Sequence, residues 1–238
     1  MNKEEFIYEV KNLGIEINDD ILNKLNIYCN FLLEYNTHTN LTAINEEEEV
    51  YLKHFYDSLT IVKVIDLNSA QNLLDIGTGA GFPGMVLKIF YPNLNVTLVD
   101  SNNKKIKFLE ELKSKLNIEN VAIINARIED ITKNNLNKFD VVTSRAVVNL
   151  PVLAELSLPL VKKNKYFVAM KGSNKEEIEN GKYAISKLKA KIIKEEVFEL
   201  YKNTGTRTLL CVQKLNNTNV NELRPYEKII KKPLAKTK

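Results

Sequence analysis

Apolar residues recur every three or four positions in the first third of the chain, then gather into short continuous runs. Ile21, Leu25, Tyr28, Leu32 and Tyr35, with Leu22, Cys29 and Leu33 beside them, form the stripe of an amphipathic helix over 19–36. Cys29 falls within that buried stripe. Asn45 followed by Glu46 to Glu49 reads as an N-cap with acids in the first turn, where the helix dipole favours negative charge. Tyr51, Phe55, Leu59, Val62 and Ile65 carry this helix onward. With a short helix near 3–12, they predict a helical N-terminal region over 1–68.

Beyond Asn68 the period changes. Apolar strands are predicted at 72–76, 96–99, 121–125, 139–143 and 166–170, separated by helices at 82–91, 104–116 and 152–161. A Lys-rich helix over 175–190 and closing strands at 191–200 and 207–215 follow. Pro83 sits where a first helical turn accepts it. Continuous apolar strands alternating with helices indicate an α/β fold, a mostly parallel sheet covered on both faces. The expected domain therefore spans 69–215, followed by a basic, irregular tail over 216–238.

Composition sharpens this picture at one place. The chain of 238 residues has only eight glycines, about half the usual ~7%. Four of them, Gly77, Gly79, Gly81 and Gly84, fall between the first strand and its helix. Glycines let the backbone adopt positive φ and approach a ligand without a Cβ clash. The spacing is D-x-G-x-G-x-G from Asp75, not the G-x-G-x-x-G of a dinucleotide turn, and Phe82 occupies the place of that third glycine. A carboxylate at Asp75 would repel a pyrophosphate and suits a cationic or amino-bearing ligand.

Nineteen residues beyond Gly81, the second strand ends at Asp100, placed to accept hydrogen bonds from both hydroxyls of a ribose. The third strand leads into Ile128 and Glu129, an apolar contact for a base and a carboxylate near its exocyclic amine. Three consecutive strand ends carry chemistry suited to adenosine.

Charge is unevenly spread. Residues 1–68 hold five basic and thirteen acidic groups, whereas 162–194 hold ten lysines against three glutamates. From Arg224 onward there are six basic groups and one acid. Two concentrated basic segments point to a polyanionic partner. Two cysteines, Cys29 and Cys211, are too few for a disulfide framework or a closed zinc site, and a cytoplasmic setting is expected. No run approaches the ~20 apolar residues of a membrane helix, and the first ten residues lack a signal-peptide layout.

Taken in order, Asn40-Leu41-Thr42-Ala43-Ile44, His54-Phe55-Tyr56-Asp57-Ser58-Leu59, the glycine turn through Gly84, Ser144-Arg145-Ala146-Val147 and Lys171-Gly172 resemble the RsmG (also GidB) family. The resemblance runs from about residue 30 to Pro233-Leu234. It implies a Rossmann-like class I methyltransferase that uses S-adenosylmethionine to methylate a guanine of small-subunit ribosomal RNA at N(7). It also implies that Gly77, Phe82, Ile128, Glu129 and Arg145 contact the methyl donor, beside Gly79 of the turn and Asp100. Arg145, Lys171 and Arg207 are candidates to contact RNA, and the Lys-rich segments to attract its phosphates. A methyltransferase acting on another RNA, a protein or a small molecule would share the donor site alone.

A guanine N(7) carries an in-plane lone pair, so this transfer needs no proton removed and no dedicated catalytic residue. Neither histidine is expected at the carboxyl edge of the sheet. His54, Asp57 and Ser58 share one helix at i, i+3 and i+4 and do not form a hydrolase triad; a local packing and hydrogen-bonding role is expected. No metal site is visible, and a monomer is expected.

Overall fold

In the computed structural model, which describes residues 1–145 and 148–234, the chain opens with α1 (Lys3–Asn12) and α2 (Asp19–Thr39). Asn2 and Asn18 cap these helices by accepting from the backbone N–H of Glu5 and Ile21. The second acidic helix departs from the expected single α-helix. It comprises α3 (Glu47–Glu49), a π-helical segment Val50–Tyr56, α4 (Asp57–Leu59) and a 3₁₀ turn Thr60–Lys63. Asn45 does not cap it. Its Oδ1 accepts from Asn36 Nδ2, and Glu46 stands at the cap position without a side-chain bond.

β1 (Asn72–Ile76), α5 (Gly84–Phe90), β2 (Asn95–Asp100), α6 (Asn103–Lys115) and β3 (Val121–Asn125) follow. Next come the short α7 (Ile128–Thr132), which the pattern did not announce, β4 (Phe139–Arg145) and α8 (Leu150–Ser157). β5 (Val161–Lys171), α9 (Lys175–Lys187), β6 (Ala190–Glu199) and β7 (Thr206–Lys214) complete the sheet. α5 begins at Gly84 rather than Phe82, because residues 78–83 are spent in the glycine turn, where the Phe82–Pro83 peptide is cis.

The sheet order is β3-β2-β1-β4-β5-β7-β6, with β7 antiparallel to both its neighbours and the other contacts parallel. The order in which successive strands are laid down reverses between β1 and β4. In an open α/β sheet, ligands bind at the carboxyl ends beside such a switch point.

Side chains alternate between the two faces. Leu73, Leu98, Val141 and Val168 join α1, α2, α5 and α6 in one core, and Leu74, Val99, Val142 and Phe167 join α8 and α9 in the other. The N-terminal helices thus cover one face of the sheet. Tyr28 and Phe31 of α2 stack with Phe82 and Phe108 at 5.4 and 5.2 Å between ring centroids. Each such buried ring contributes ~1.5–3 kcal/mol.

The tail also departs from expectation. It contains α10 (Tyr226–Lys231), and its Arg224 pairs with the buried Glu155 of α8 at 2.7 Å. Glu155 accepts from the Leu234 N–H as well, so this stretch is anchored to the sheet's helical cover. Lys236 and Lys238 lie outside the described residues.

Candidate functional site

The glycines of the turn do two different jobs. Gly77 and Gly79 have φ of 64° and 62°, the left-handed region that other residues enter at a cost of ~1–2 kcal/mol. A Cβ on Gly79 would meet nothing nearer than the Lys105 Nζ, at 3.9 Å, so this part of the turn presents bare backbone. Gly84 is needed for space, since its Cβ would lie 2.4 Å from Leu98 Cδ2 and 2.9 Å from Asp75 Cβ.

Asp75 does not face outward as its position in the motif suggested. It is fully buried, and Oδ2 accepts from the Thr78 hydroxyl at 2.7 Å and the Gly84 N–H at 2.8 Å. Its Oδ1 has no partner among the described residues. Burial pushes the carboxyl up to about 7, against hydrogen bonds that favour its charged form. The residue ties the turn together from beneath.

Asp100 stands at the end of β2 as expected. One oxygen accepts from the Gly79 N–H and the other from the Asn102 N–H, both at 2.9 Å. A carboxylate has about four acceptor sites, so two hydroxyl groups can still be received. At the next strand end Ile128 is buried, and Glu129 lies beside it in the first turn of α7 with Arg127 Nη1 at 3.8 Å. The backbone hydrogen bond from Ala126 N–H to the Asp100 carbonyl joins these two corners.

The opposite wall holds residues from the N-terminal helices, and here the expectation about histidine is corrected. His54 stacks on Phe82 with ring centroids 4.2 Å apart and planes 11° apart. Its Nδ1 lies 3.1 Å from Arg145 Nη2, and its Nε2 lies 3.1 Å from Thr42 Oγ1. A guanidinium can only donate, so Nδ1 accepts and the proton resides on Nε2, which donates to Thr42. Burial, with the Arg145 charge beside it, pushes the imidazole down to about 3, and it is neutral at physiological pH. The π-helical segment sets this register, which helical periodicity does not reveal.

Arg145, at the end of β4, donates through Nη1 to the Lys53 carbonyl at 2.8 Å and to Asp57 Oδ2 at 3.1 Å. Its guanidinium lies 5.3 Å above the Phe82 ring. Arg207, at the start of β7, donates through Nε to the other Asp57 oxygen at 2.9 Å. The structure therefore brings Gly77, Gly79, Phe82, Asp100 and Arg145 to one edge, with Arg207 beside them. Asp57 and His54 join them, as long-range partners that residue spacing could not expose. Ala146 and Val147 of the Ser144-Arg145-Ala146-Val147 motif lie outside the described residues.

Lys171 also reaches this edge, but it is committed. Its Nζ lies 2.6 Å from Glu177 and donates to the Val148 carbonyl at 2.7 Å. Lys162 and Lys165 pair with Asp140 toward the other end of β5, roughly 20–30 Å away at ~3.3 Å per residue. Lys191 and Lys194 pair across β7 at the level of Tyr166 and Val168, also short of the edge. Much of the basic charge read from residues 162–194 thus belongs to ion pairs or to other parts of the surface. Among the described residues no group of three or more His, Cys, Asp or Glu could hold a metal, and no helix is long and apolar enough to cross a membrane.

An open glycine backbone beneath a strand-end carboxylate with spare acceptor capacity fits the adenosyl part of S-adenosylmethionine. Fold and site together define a Rossmann-like class I methyltransferase with that cofactor. Among solved structures, the fold is similar to that of M. jannaschii TYW2 in complex with AdoMet. That structure matches with a TM-score of 0.51 and 16% identity, over 65% of this chain and 72% of that one, a likeness of fold.

The model of the family described as GidB, rRNA small subunit methyltransferase G, matches residues 21–207. Ribosomal RNA small subunit methyltransferase G of Lactobacillus helveticus is 44% identical over 240 residues, covering 99% of this chain and 100% of that protein. The protein of the same description from Lachnoclostridium phytofermentans is 43% identical over 236 residues, covering 98% of each. The chain belongs to this family.

Proposed function

We propose that this protein transfers the methyl group of S-adenosylmethionine to N(7) of a guanine in small-subunit ribosomal RNA. The family supports the class of substrate, and the state of the side chains at the carboxyl edge supports the nitrogen. Three of the candidate bases there are already engaged, and a fourth, Asp75, is fully buried beneath the turn. His54 is neutral with both ring nitrogens hydrogen-bonded, Asp57 gives one oxygen to each of two arginines, and both oxygens of Asp100 hold backbone N–H groups. Such a site suits a nucleophile that needs no deprotonation, which a purine N(7) lone pair satisfies.

The bound cofactor supplies a methyl group on a positively charged sulfur. The chain's own residues position the partners, a contribution that can reach ~7–11 kcal/mol of barrier reduction. Gly77 and Gly79 admit the donor against bare backbone, Asp100 receives ribose hydroxyls, and Ile128 with Glu129 borders the base. Phe82, held between Tyr28 and His54, and the Arg145 guanidinium above it form the wall toward the target nucleotide. Arg207 offers the outer edge of its guanidinium to a phosphate, a contact its planar fork favours.

The observation that carries this reading is the juxtaposition of the glycine turn and Asp100 with a neutral, doubly hydrogen-bonded imidazole and an Asp57 carboxylate held by two arginines. The test incubates the protein with radiolabelled donor and small-subunit RNA from a strain lacking the enzyme, followed by nucleoside analysis. Label in 7-methylguanosine is the expected result. Label in another nucleoside, or none, would remove the proposal.

A further inference from the structure

Asp57 is bonded to two arginines at the carboxyl edge, and the methyl transfer as described gives it no task. Its side chain is 5% exposed. It comes from the N-terminal helical region, as the first residue of α4, yet its two partners lie 88 and 150 residues further along the chain. Oδ2 receives Nη1 of Arg145 at the end of β4, and Oδ1 receives Nε of Arg207 at the start of β7. One carboxylate therefore spans the gap between the strand beside the donor turn and the antiparallel strand beyond β5.

The charge balance says what this bracket does. One acid bonds two guanidiniums, and the only other carboxyl acting on Arg145 among the described residues, Asp75, is raised to about 7 and offsets its charge in part, so the cluster stays net positive. Nearby Lys53 is paired with Glu49, and His54 is neutral. Arg207 spends Nε on Asp57 and Nη1 on the neighbouring Thr206 carbonyl at 3.3 Å, while its Nη2 has no partner among the described residues. With Nε held on Asp57, Nη2 and the remaining Nη1 proton are left to grip phosphate oxygens. Fixing Arg145 by Nη1 keeps its guanidinium above Phe82. Without the carboxylate the two cations would repel each other and lose these orientations.

We infer that Asp57 is a positioning residue: it holds Arg207 with its fork toward a phosphate of the target RNA strand and Arg145 against the donor turn. The inference rests on the proposed reading of the site and adds the part through which the N-terminal helices control it. An acid facing a polyanion should weaken RNA binding by charge alone. A positioning role instead makes it necessary for turnover, and the two effects separate under mutation.

The test compares Asp57→Asn with the wild type in three measurements: donor affinity by calorimetry, affinity for small-subunit RNA, and kcat under saturating conditions. Asparagine keeps the shape and removes the charge. Expected are donor affinity within threefold, RNA affinity changed by less than threefold because loss of the phosphate contact and loss of the negative charge act in opposite directions, and kcat reduced at least tenfold. A kcat reduced less than tenfold would overturn the inference. If Asp57→Asn binds no donor, Arg207→Lys replaces it, keeping the positive charge but lacking Nε and the fork. Weaker RNA binding with kcat reduced at least tenfold is then expected, and a smaller loss of kcat would overturn the idea. Wild-type enzyme in the same assay tests the parent reading separately, since absence of 7-methylguanosine there removes the reading itself.

Discussion

Asp75 and His54 lie in the same core with opposite titration behaviour, and this yields a measurable cancellation. Burial raises Asp75 from 3.8 to about 7, so between these values the folded protein holds a proton that the unfolded chain has lost. Stability from this group is complete below pH 3.8 and disappears as pH rises through 7. His54 is lowered from 6.5 to about 3, so in that window the unfolded chain holds the proton instead. Its stability is complete above pH 6.5 and disappears as pH falls toward 3. Each group alone tilts stability by about 1.4 kcal/mol per pH unit. From about pH 4 to 6.5 the two slopes have opposite signs and cancel. Asp75→Asn removes one of them. The asparagine Oδ1 can accept from both Thr78 and Gly84, while its amide N–H groups fall where Asp75 Oδ1 has no partner, which costs an amount independent of pH. Relative to the wild type, the variant should therefore gain stability with rising pH, by about 2.7 kcal/mol between pH 4.5 and 6.5. Urea unfolding at five pH values measures this difference, in which the shared background of other carboxylates drops out. His54→Gln should show the opposite slope. A difference between Asp75→Asn and wild type that stays constant to within ~0.5 kcal/mol across this range would refute the reasoning.

Three further outcomes are expected. Gly84→Ala places a methyl group 2.4 Å from Leu98 Cδ2 and disturbs the Gly84–Asp75 bond, an overpacking cost of ~1–3 kcal/mol that a helix-propensity gain of ~1 kcal/mol partly offsets. A thermal melt should fall by ~2–8 °C, and an unchanged midpoint would contradict the close approach of α5 to β1. Gly77→Asp forces an acid into positive φ at the turn and should abolish donor binding in calorimetry while the far-ultraviolet spectrum stays native. Glu155→Ala removes the acceptor of both Arg224 and the Leu234 N–H, and should cost ~1–3 kcal/mol in denaturant unfolding and expose the tail to proteolysis.

The elements, the glycine turn and the strand-end acids were legible in the chain itself. Their signals are local: period-two and period-3.6 patterns, a cluster of four glycines in a glycine-poor sequence, and an acid closing an apolar run. Asp100 meets the Gly79 N–H because β1 and β2 pair in register, Ile76 against Val99, which places the end of one strand beside the turn of the other. The resemblance of the ordered motifs to one family carried the chemistry further than spacing alone could.

What only the tertiary structure decided is which charges meet. Asp57, read from sequence as part of a local helical pattern, joins two arginines from separate strands, and His54 is carried to the carboxyl edge by a π-helical segment and by aromatic stacking on Phe82. The lysines of residues 162–194 looked like one patch, yet sheet geometry sends Lys162 and Lys165 to the edge opposite Lys171 and binds each to an acid. Backbone preference and burial period depend on neighbours a few residues apart, so a sequence displays them directly. Ion pairs and ring contacts depend on how whole elements dock, and a residue's partner across 150 positions is chosen by that packing alone.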